Sequence, residues 1–470
     1  MNDRRNCKYK TFLLGLSFTI GLFLLLISPC FLTEGMFMDG LIYSTFSRNL
    51  FNKVGSATFW TPYFSETFLT NFHGHPPLAF GLQSICYYFG DSFYVDKIYS
   101  VLTFVIAGVV MIMIWKILTN NINLSWVPLA FWVTIPLVFW GATNNMLENT
   151  MQVFTILCLY FCIKGYKNKQ YYFLLIAGLM LFLAFLTKGF TGLYLLSFPF
   201  FHWVFFRDSN IKTMFANTVI MLIGLIGPLI ILFICNETAF SYILEYCNVQ
   251  VVRSVNHVQT VDSRFYIVWR FIEEIMIPVI TIGIILLAAK NGRVKLRDNV
   301  YLKWIYLLSA ITLSGILPIM ISLKQSGFYI LTVFPICSIV LGLIVLPTVE
   351  KMQIKSRTKN LFAYFSIFFL CIGIASNIYF CGQIGRDKTL LKDIHTILPY
   401  LQDGEVVSIS DDLYHNYALH GYLARTKNIS LDAKTTKQNN FIIAGSRIDD
   451  STYKIVTDST QEIFLYSVRH

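Results

Sequence analysis

The chain has 470 residues, of which 55% are hydrophobic and 13% charged, a composition that excludes an ordinary water-soluble protein and indicates an integral membrane protein. Its net charge of +11 could suggest a nucleic-acid partner. The lysines and arginines, however, cluster in short loops between apolar stretches, which is the pattern that membrane orientation produces. We therefore predict no nucleic-acid partner and extensive contact with membrane lipid.

Apolar stretches recur from residue 11 to about residue 381. A hydrocarbon core about 30 Å thick needs roughly 20 apolar residues per helix. We predict about eleven spans, at 11–32, 98–118, 125–141, 150–164, 171–187, 189–206, 213–235, 266–289, 301–322, 327–347 and 361–381. The segment 76–90 fits either a short span or an interfacial helix. The positive-inside rule favours the interfacial alternative, because it places basic loops such as Lys164 to Lys169 on the same side as the basic N-terminus.

The first external loop, residues 33–97, carries an acidic residue close to the membrane. Asp39 precedes a stretch, 40–50, in which apolar residues recur at helical spacing and predict an amphipathic helix on the membrane. Asp39 fits two roles there. It is either a cap of this helix, or a carboxylate that accepts the proton of an attacking hydroxyl or holds a metal ion. The residues alone leave both roles open.

A His-Gly-His-Pro-Pro run, His73 to Pro77, follows in the same loop. The two prolines stiffen the backbone and prevent a helix from continuing into it, so the turn presents an imidazole at a fixed angle. Such a ring either binds phosphate oxygens or is simply a solvated loop histidine. The His-x-His spacing by itself does not predict a metal site.

Four further ionisable residues fall on the same predicted side as Asp39. Glu148 begins an otherwise apolar helix, where an acidic residue complements the helix dipole. Lys188 and Lys324 interrupt apolar sequence near the ends of spans, where an ionisable residue suggests a functional role. For Lys324 the alternative is a side chain that extends to the membrane interface to keep its charge in water. Arg270 has glutamates three and four residues further on and is placed to pair with them. This one-sided grouping, without an internal repeat, favours a site open to one side over a transporter.

The tail, residues 382–470, is water-soluble in composition. Strands are predicted at 405–410, 441–444 and 462–468, and a helix at 412–424, which together indicate a small α/β domain. An odd number of spans places this domain outside. Two roles are open for this domain: it recognises the acceptor, or it forms a lid over the site.

In chain order, these residues resemble the GT-C glycosyltransferases of the protein O-mannosyltransferase and lipid A aminoarabinose-transferase type. The resemblance covers most of the membrane region. It rests on the order of the matching residues along the chain and on their common side of the membrane. The matching pieces are Asp39, the entry His75 to Pro77, the segment Asp96 to Ser100, Glu148, the run Leu186 to Phe190 and the run Lys324 to Pro335.

The resemblance implies a polytopic all-α membrane domain of GT-C type at residues 1–381, with juxtamembrane helices, followed by an extracytoplasmic α/β domain at 382–470. It implies an inverting enzyme of the bacterial inner membrane. Such an enzyme takes a sugar from a polyprenyl-phosphate donor and attaches it to a lipid, glycan or protein acceptor on the periplasmic side.

The resemblance also implies roles for the candidate residues. Asp39 lies closest to the chemistry, with Glu148 assisting. Cationic side chains lower the barrier by stabilising the lipid phosphate as it leaves. The residues expected to hold that phosphate are His75, Lys188, Lys324 and Arg270.

This chain departs from the family pattern at two positions. The first-loop motif is commonly Asp-Glu, whereas Gly40 follows Asp39, so we predict no metal-ligand set and a divalent metal is allowed but not required. Aminoarabinose transferases commonly have lysine where this chain has His75, so transfer of that particular sugar is not implied.

Two other functional classes stay open. One is a flippase or transporter of lipid-linked sugars, and the other is an O-antigen polymerase or ligase. Polymerases and ligases typically place key residues in a large late external loop, whereas here the candidate loop directly follows the first helix.

Overall fold

The computed structural model of the chain describes residues 2–252, 259–289, 294–352, 356–433 and 439–468. In the membrane region the longer helices are α1 (Asn2–Leu26), α2 (Ser28–Leu32), α3 (Met38–Asn52), α4 (Leu78–Ser84), α5 (Phe93–Thr119), α6 (Trp126–Val133), α7 (Pro136–Gly141), α8 (Leu147–Asn168), α9 (Tyr172–Lys188), α10 (Phe198–Phe206), α11 (Ile211–Cys235), α12 (Glu237–Tyr246), α13 (Tyr266–Ala288), α14 (Leu302–Ile316), α15 (Phe334–Met352) and α16 (Ser356–Phe380). Helices α17 (Lys388–Ile397) and α18 (Tyr417–Lys427) follow in the tail.

Every predicted span falls on these helices or on 3-10 helices that adjoin them, such as Gly189–Ser197 and Gly327–Val333, and the chain is a polytopic membrane protein. Seven of the described helical runs are long and apolar enough to cross a membrane, and one of them, Tyr172–Phe206, covers two predicted spans. The predicted spans outside those seven runs are 11–32, 125–141 and 150–164. The second of these is broken between α6 and α7, where Pro136 begins the new helix because proline cannot continue the old one.

The segment 76–90 forms α4 followed by a 3-10 helix, Ile85–Phe89. Twelve helical residues at about 1.5 to 2 Å each are shorter than a hydrocarbon core of about 30 Å. Tyr88 and Phe89 at its end are strongly exposed, as expected of aromatic side chains at a membrane interface.

The tail folds around a five-stranded sheet of order β2-β1-β3-β5-β4. Its strands are β1 (Val406–Ile409), β2 (Ser430–Asp432), β3 (Phe441–Ala444), β4 (Tyr453–Ile455) and β5 (Phe464–Val468). Strand β1 pairs in parallel with β2 and β3, while β5 pairs antiparallel with β3 and β4. The three predicted strands and the predicted helix are therefore present, and β2, β4 and α17 are additional elements.

The buried core of the tail extends into the first external loop. Met36 and Leu41 belong to the same hydrophobic cluster as Leu391, Leu419 and Ile443. Glu34 also donates its backbone N–H to Gln383 and accepts from Gly385, both at 2.8 Å. The tail therefore packs directly against the segment that contains α3.

Candidate active site

Asp39 is the second residue of α3 and lies in its first turn. Phe37 is the N-cap residue, and no side chain caps this helix, so Asp39 is not a cap. An acidic side chain there is still favoured by the helix dipole. Burial raises the pKa of Asp39 above its ordinary value of 3.8, Lys188 and Lys324 partly offset this effect, and Glu148 reinforces it. A carboxylate with a raised pKa is a better proton acceptor than an exposed aspartate.

Position 40 must be glycine because α3 touches another backbone there. A Cβ at Gly40 would lie 2.1 Å from the backbone oxygen of Asn144. Asn145, at a φ of 50°, donates from Nδ2 to the oxygen of Gly40 at 3.2 Å and to Ser44 Oγ at 3.0 Å. Asn144 in turn accepts from the backbone N–H of Phe37 at 2.8 Å. This close packing explains why a second carboxylate does not follow Asp39.

Glu148 and Lys188 form a buried ion pair between two helices. Glu148 is 0% exposed in the first turn of α8, and Lys188 is the last residue of α9, which ends where Gly189 adopts a φ of 78°. Oε2 of Glu148 is buried without a hydrogen-bond partner among the described residues. The ammonium of Lys188 also lies 5.3 and 5.0 Å from the ring centroids of Phe328 and Tyr329. Because an ammonium has three N–H donors, Lys188 can bind a further oxygen besides Glu148.

His75 is held between aromatic side chains with one ring nitrogen unused. Its backbone oxygen accepts from Tyr242 Oη at 2.8 Å, its ring meets the Tyr43 ring edge-on, and its buried Nδ1 has no partner among the described residues. Burial lowers its pKa well below 6.5, and Lys188 and Lys324 lower that pKa further. The imidazole is therefore neutral at neutral pH. It can hydrogen-bond a phosphate or a sugar but does not contribute positive charge.

Lys324 lies between two short 3-10 helices, Leu317–Ile321 and Gly327–Val333, and its ammonium donates to Gln250 Oε1 at 3.2 Å. This places it in the connection that the sequence identified as a break between spans. Its charge contributes to the pKa values of both Asp39 and His75.

Four of the six predicted site residues line one cavity of about 410 Å³. They are His75, Glu148, Lys188 and Lys324, which come from four separate segments of the chain. Most of the remaining lining is apolar or aromatic, including Met151, Phe190, Tyr194, Pro318, Ile319 and Ile321. Asp39 does not line this cavity but lies beside it, close enough for three of these charged groups to act on its pKa. A cationic end and an apolar body suit a lipid phosphate.

Arg270 does not line this cavity. Its guanidinium pairs with Glu273 at 3.3 Å and with the buried Glu274. Glu274 also accepts from the backbone N–H of Leu137 at 2.6 Å. The described residues contain no group of three or more His, Cys, Asp or Glu side chains arranged to hold a metal ion.

Two tyrosines of the site were not among the predicted residues. Tyr43 lies one helical turn after Asp39, and the charges of Asp39 and Glu148 raise its pKa beyond the effect of burial. Helical spacing of four residues places both on one face, so the sequence contained this signal. Tyr329 lines the cavity, where the 3-10 helix Gly327–Val333 places it.

The site lies in a fold that known proteins share. Residues 74–234 match the family model of dolichyl-phosphate-mannose-protein mannosyltransferase. None of the curated proteins matches the chain. ArnT from Cupriavidus metallidurans, crystallised with undecaprenyl phosphate, is similar with a TM-score of 0.65 at 13% identity, over 97% of this chain and 96% of ArnT.

The archaeal oligosaccharyltransferase AglB from Archaeoglobus fulgidus, in complex with an inhibitory peptide and a dolichol-phosphate, is also similar, with a TM-score of 0.52 at 10% identity. That match covers 87% of this chain and 65% of AglB. The ArnT match extends across both the membrane helices and the tail. The chain therefore has the GT-C fold, with an ArnT-like arrangement of membrane helices and C-terminal domain.

Proposed function

We propose that this protein is an inverting glycosyltransferase that moves a hexosyl or pentosyl group from a polyprenyl-phosphate carrier to a lipid, glycan or protein acceptor. The observation that carries the proposal is the cavity in which Glu148, Lys188, Lys324 and His75 meet beside Asp39. The fold supports it, because similar proteins with this fold have structures with undecaprenyl phosphate or a dolichol-phosphate bound.

Each side chain has a defined task in the proposed reaction. The acceptor hydroxyl attacks the anomeric carbon, its proton passes to the carboxylate of Asp39, and the bond from that carbon to the phosphate oxygen breaks with inversion. The electron pair leaves with the polyprenyl phosphate. Lys188 and Lys324 stabilise this leaving group electrostatically, and His75 adds a neutral hydrogen bond. Glu148 assists by holding Lys188 in place.

Arg270 remains a prediction outside this scheme, because its charge is already balanced by Glu274. We place the site and the domain at 382–470 on the periplasmic side of a bacterial inner membrane. The excess of basic residues in the loops assigned to the cytoplasm supports this orientation. The scheme needs no metal ion at any step.

Asp39→Asn tests the proposal directly. Purified protein is supplied with undecaprenyl-phosphate-linked sugars and a lipid extract of the cell envelope, and glycosylated product and released undecaprenyl phosphate are measured. Because a positioned general base contributes about 10²- to 10⁴-fold, transfer by Asp39→Asn should fall by that factor. If the protein is instead a transporter or a flippase, neither the wild type nor any variant should form glycosylated product.

The matched control is Asp262→Asn, an exposed aspartate that does not line the cavity. We expect it to keep wild-type transfer. Full transfer by a well-folded Asp39→Asn protein would refute the catalytic role of Asp39. Absence of product from the wild type across all sugars and acceptors would refute the proposed function itself.

A further inference from the structure

The face of α3 that the membrane helices leave uncovered is covered by the C-terminal domain. Tyr422 of α18 accepts from the backbone N–H of Met36 at 3.1 Å, and its hydroxyl lies 2.9 Å from Asp387 Oδ2. Met36 and Leu41, which flank Asp39 in the sequence, are buried in the core of that domain. The first turn of α3 is therefore enclosed from two sides.

A second set of contacts fixes the other end of α3. Arg48 is 2% exposed and donates to the backbone oxygens of Ala424 and Arg425, at 3.3 Å for Ala424. Arg425 donates from Nε to Asp96 at 2.9 Å and from Nη1 to Asp91 at 2.7 Å. Asp96, fully buried at the start of α5, thus ties a membrane helix to the C-terminal domain.

These contacts argue against a domain that opens as a lid. Opening would separate Arg425 from the buried Asp96 and leave an uncompensated charge inside the protein, which is costly. It would also expose the shared core of Met36 and Leu41. Acceptor recognition alone does not account for them either, because neither Tyr422 nor Arg425 lines the cavity of the proposed site.

We propose that the C-terminal domain completes the active site by holding α3 in place, and that Tyr422 is a positioning residue for Asp39. Asn144 and Asn145 fix α3 against the segment that leads into Glu148, and Tyr422 with Arg425 fixes it against the C-terminal domain. The inference rests on the proposed transferase function for its kinetic readout. Its structural readout is independent of that function.

The test compares two tyrosine substitutions in the same domain of the full-length protein. Tyr422→Phe removes the hydroxyl that holds Met36. Tyr466→Phe is the matched control, because Tyr466 is also buried and its hydroxyl accepts from Ile448 at 2.9 Å, away from α3. Three quantities are measured: amide hydrogen exchange of residues 36–45, binding of undecaprenyl phosphate, and the kinetics of transfer.

For Tyr422→Phe we expect faster exchange over residues 36–45, a kcat at least tenfold lower, and undecaprenyl phosphate affinity and donor KM within twofold of the wild type. Tyr466→Phe should match the wild type in all of these. A Tyr422→Phe protein that exchanges and turns over like Tyr466→Phe would overturn the proposal. So would a rise in acceptor KM at unchanged kcat, which would assign the domain to acceptor recognition.

A second variant covers the case in which Tyr422→Phe is not recovered folded. Arg425→Lys keeps the positive charge but cannot bond Asp91 and Asp96 through a planar fork. It should give the same faster exchange and lower kcat, and wild-type exchange would overturn the proposal. If the wild type transfers no sugar, the proposed function fails, while hydrogen exchange still decides whether the domain holds α3.

Discussion

At the residue scale, Lys188 shows how a partner distant in sequence changes the meaning of a charge. Read along the chain, it has no local acidic partner, whereas the fold pairs it with Glu148, forty residues earlier. Removing one member of a buried ion pair typically costs about 3 to 5 kcal/mol. Substitution of either residue would therefore mix a loss of stability with any loss of catalysis. Asp39, which is outside this pair, is the cleaner position for testing the chemistry.

The pH dependence of transfer should report Asp39. Burial raises the pKa of Asp39 above its ordinary value of 3.8. At any pH below this raised pKa, the carboxyl is mostly protonated and cannot accept a proton. We expect kcat/KM to fall as the pH decreases through that raised pKa. His75, whose pKa is lowered well below 6.5, should add no inflection near 6.5.

The measurement is kcat/KM for transfer across the acidic range. Samples returned to neutral pH after incubation control for unfolding. A profile that stays level down to pH 3.8 would contradict the assignment of Asp39 as the base. An inflection near 6.5 that disappears in His75→Gln would contradict a neutral His75.

At the element scale, α3 is the helix that the spacing of apolar residues predicted, extended by two residues at each end. Its surroundings differ from the prediction of a helix lying on the membrane. Ser44, Thr45, Ser47 and Asn49 are all 0% exposed. Ser47, for example, bonds Gln83 at 3.0 Å. The polar face of the helix contacts other parts of the protein. The spacing of apolar residues cannot distinguish a polar face that contacts protein from one that contacts water.

The contact between α3 and the segment before α8 can be tested by adding one methyl group. In Gly40→Ala the new Cβ would lie 2.1 Å from a backbone oxygen, which cannot move aside like a flexible side chain. We expect a loss of about 1 to 3 kcal/mol in unfolding free energy, as for other overpacked sites. We also expect transfer to fall at least tenfold, because Asp39 shifts with the helix.

Gly227→Ala in α11 is the matched control, since a Cβ there would meet no atom within 4 Å. Denaturation in detergent and transfer kinetics are measured for both variants. Wild-type stability and transfer in Gly40→Ala would show that α3 does not depend on this close contact.

At the scale of the whole molecule, the C-terminal domain is joined to the membrane domain through a shared core and the buried ion pair of Arg425 with Asp96. Its side of the membrane follows from the number of spans. We expect a C-terminal fusion to alkaline phosphatase, which is active only outside the cytoplasm, to be active. A fusion in the basic loop at Lys167 should be inactive. The opposite pattern would contradict this topology and would place the C-terminal domain in the cytoplasm.

The sequence by itself determined the membrane class, the positions of the helical spans, the α/β nature of the tail and four of the residues that line the cavity. These properties depend on local hydrophobicity, helix periodicity and isolated charges in apolar sequence, which can be read without knowing the fold.

Only the tertiary structure decided which charges neutralise one another. It paired Lys188 with Glu148, showed why residue 40 is glycine, and brought Arg425 to Asp96 across more than three hundred residues. Contacts between helices distant in sequence depend on how whole elements pack, and neither composition nor spacing specifies that packing.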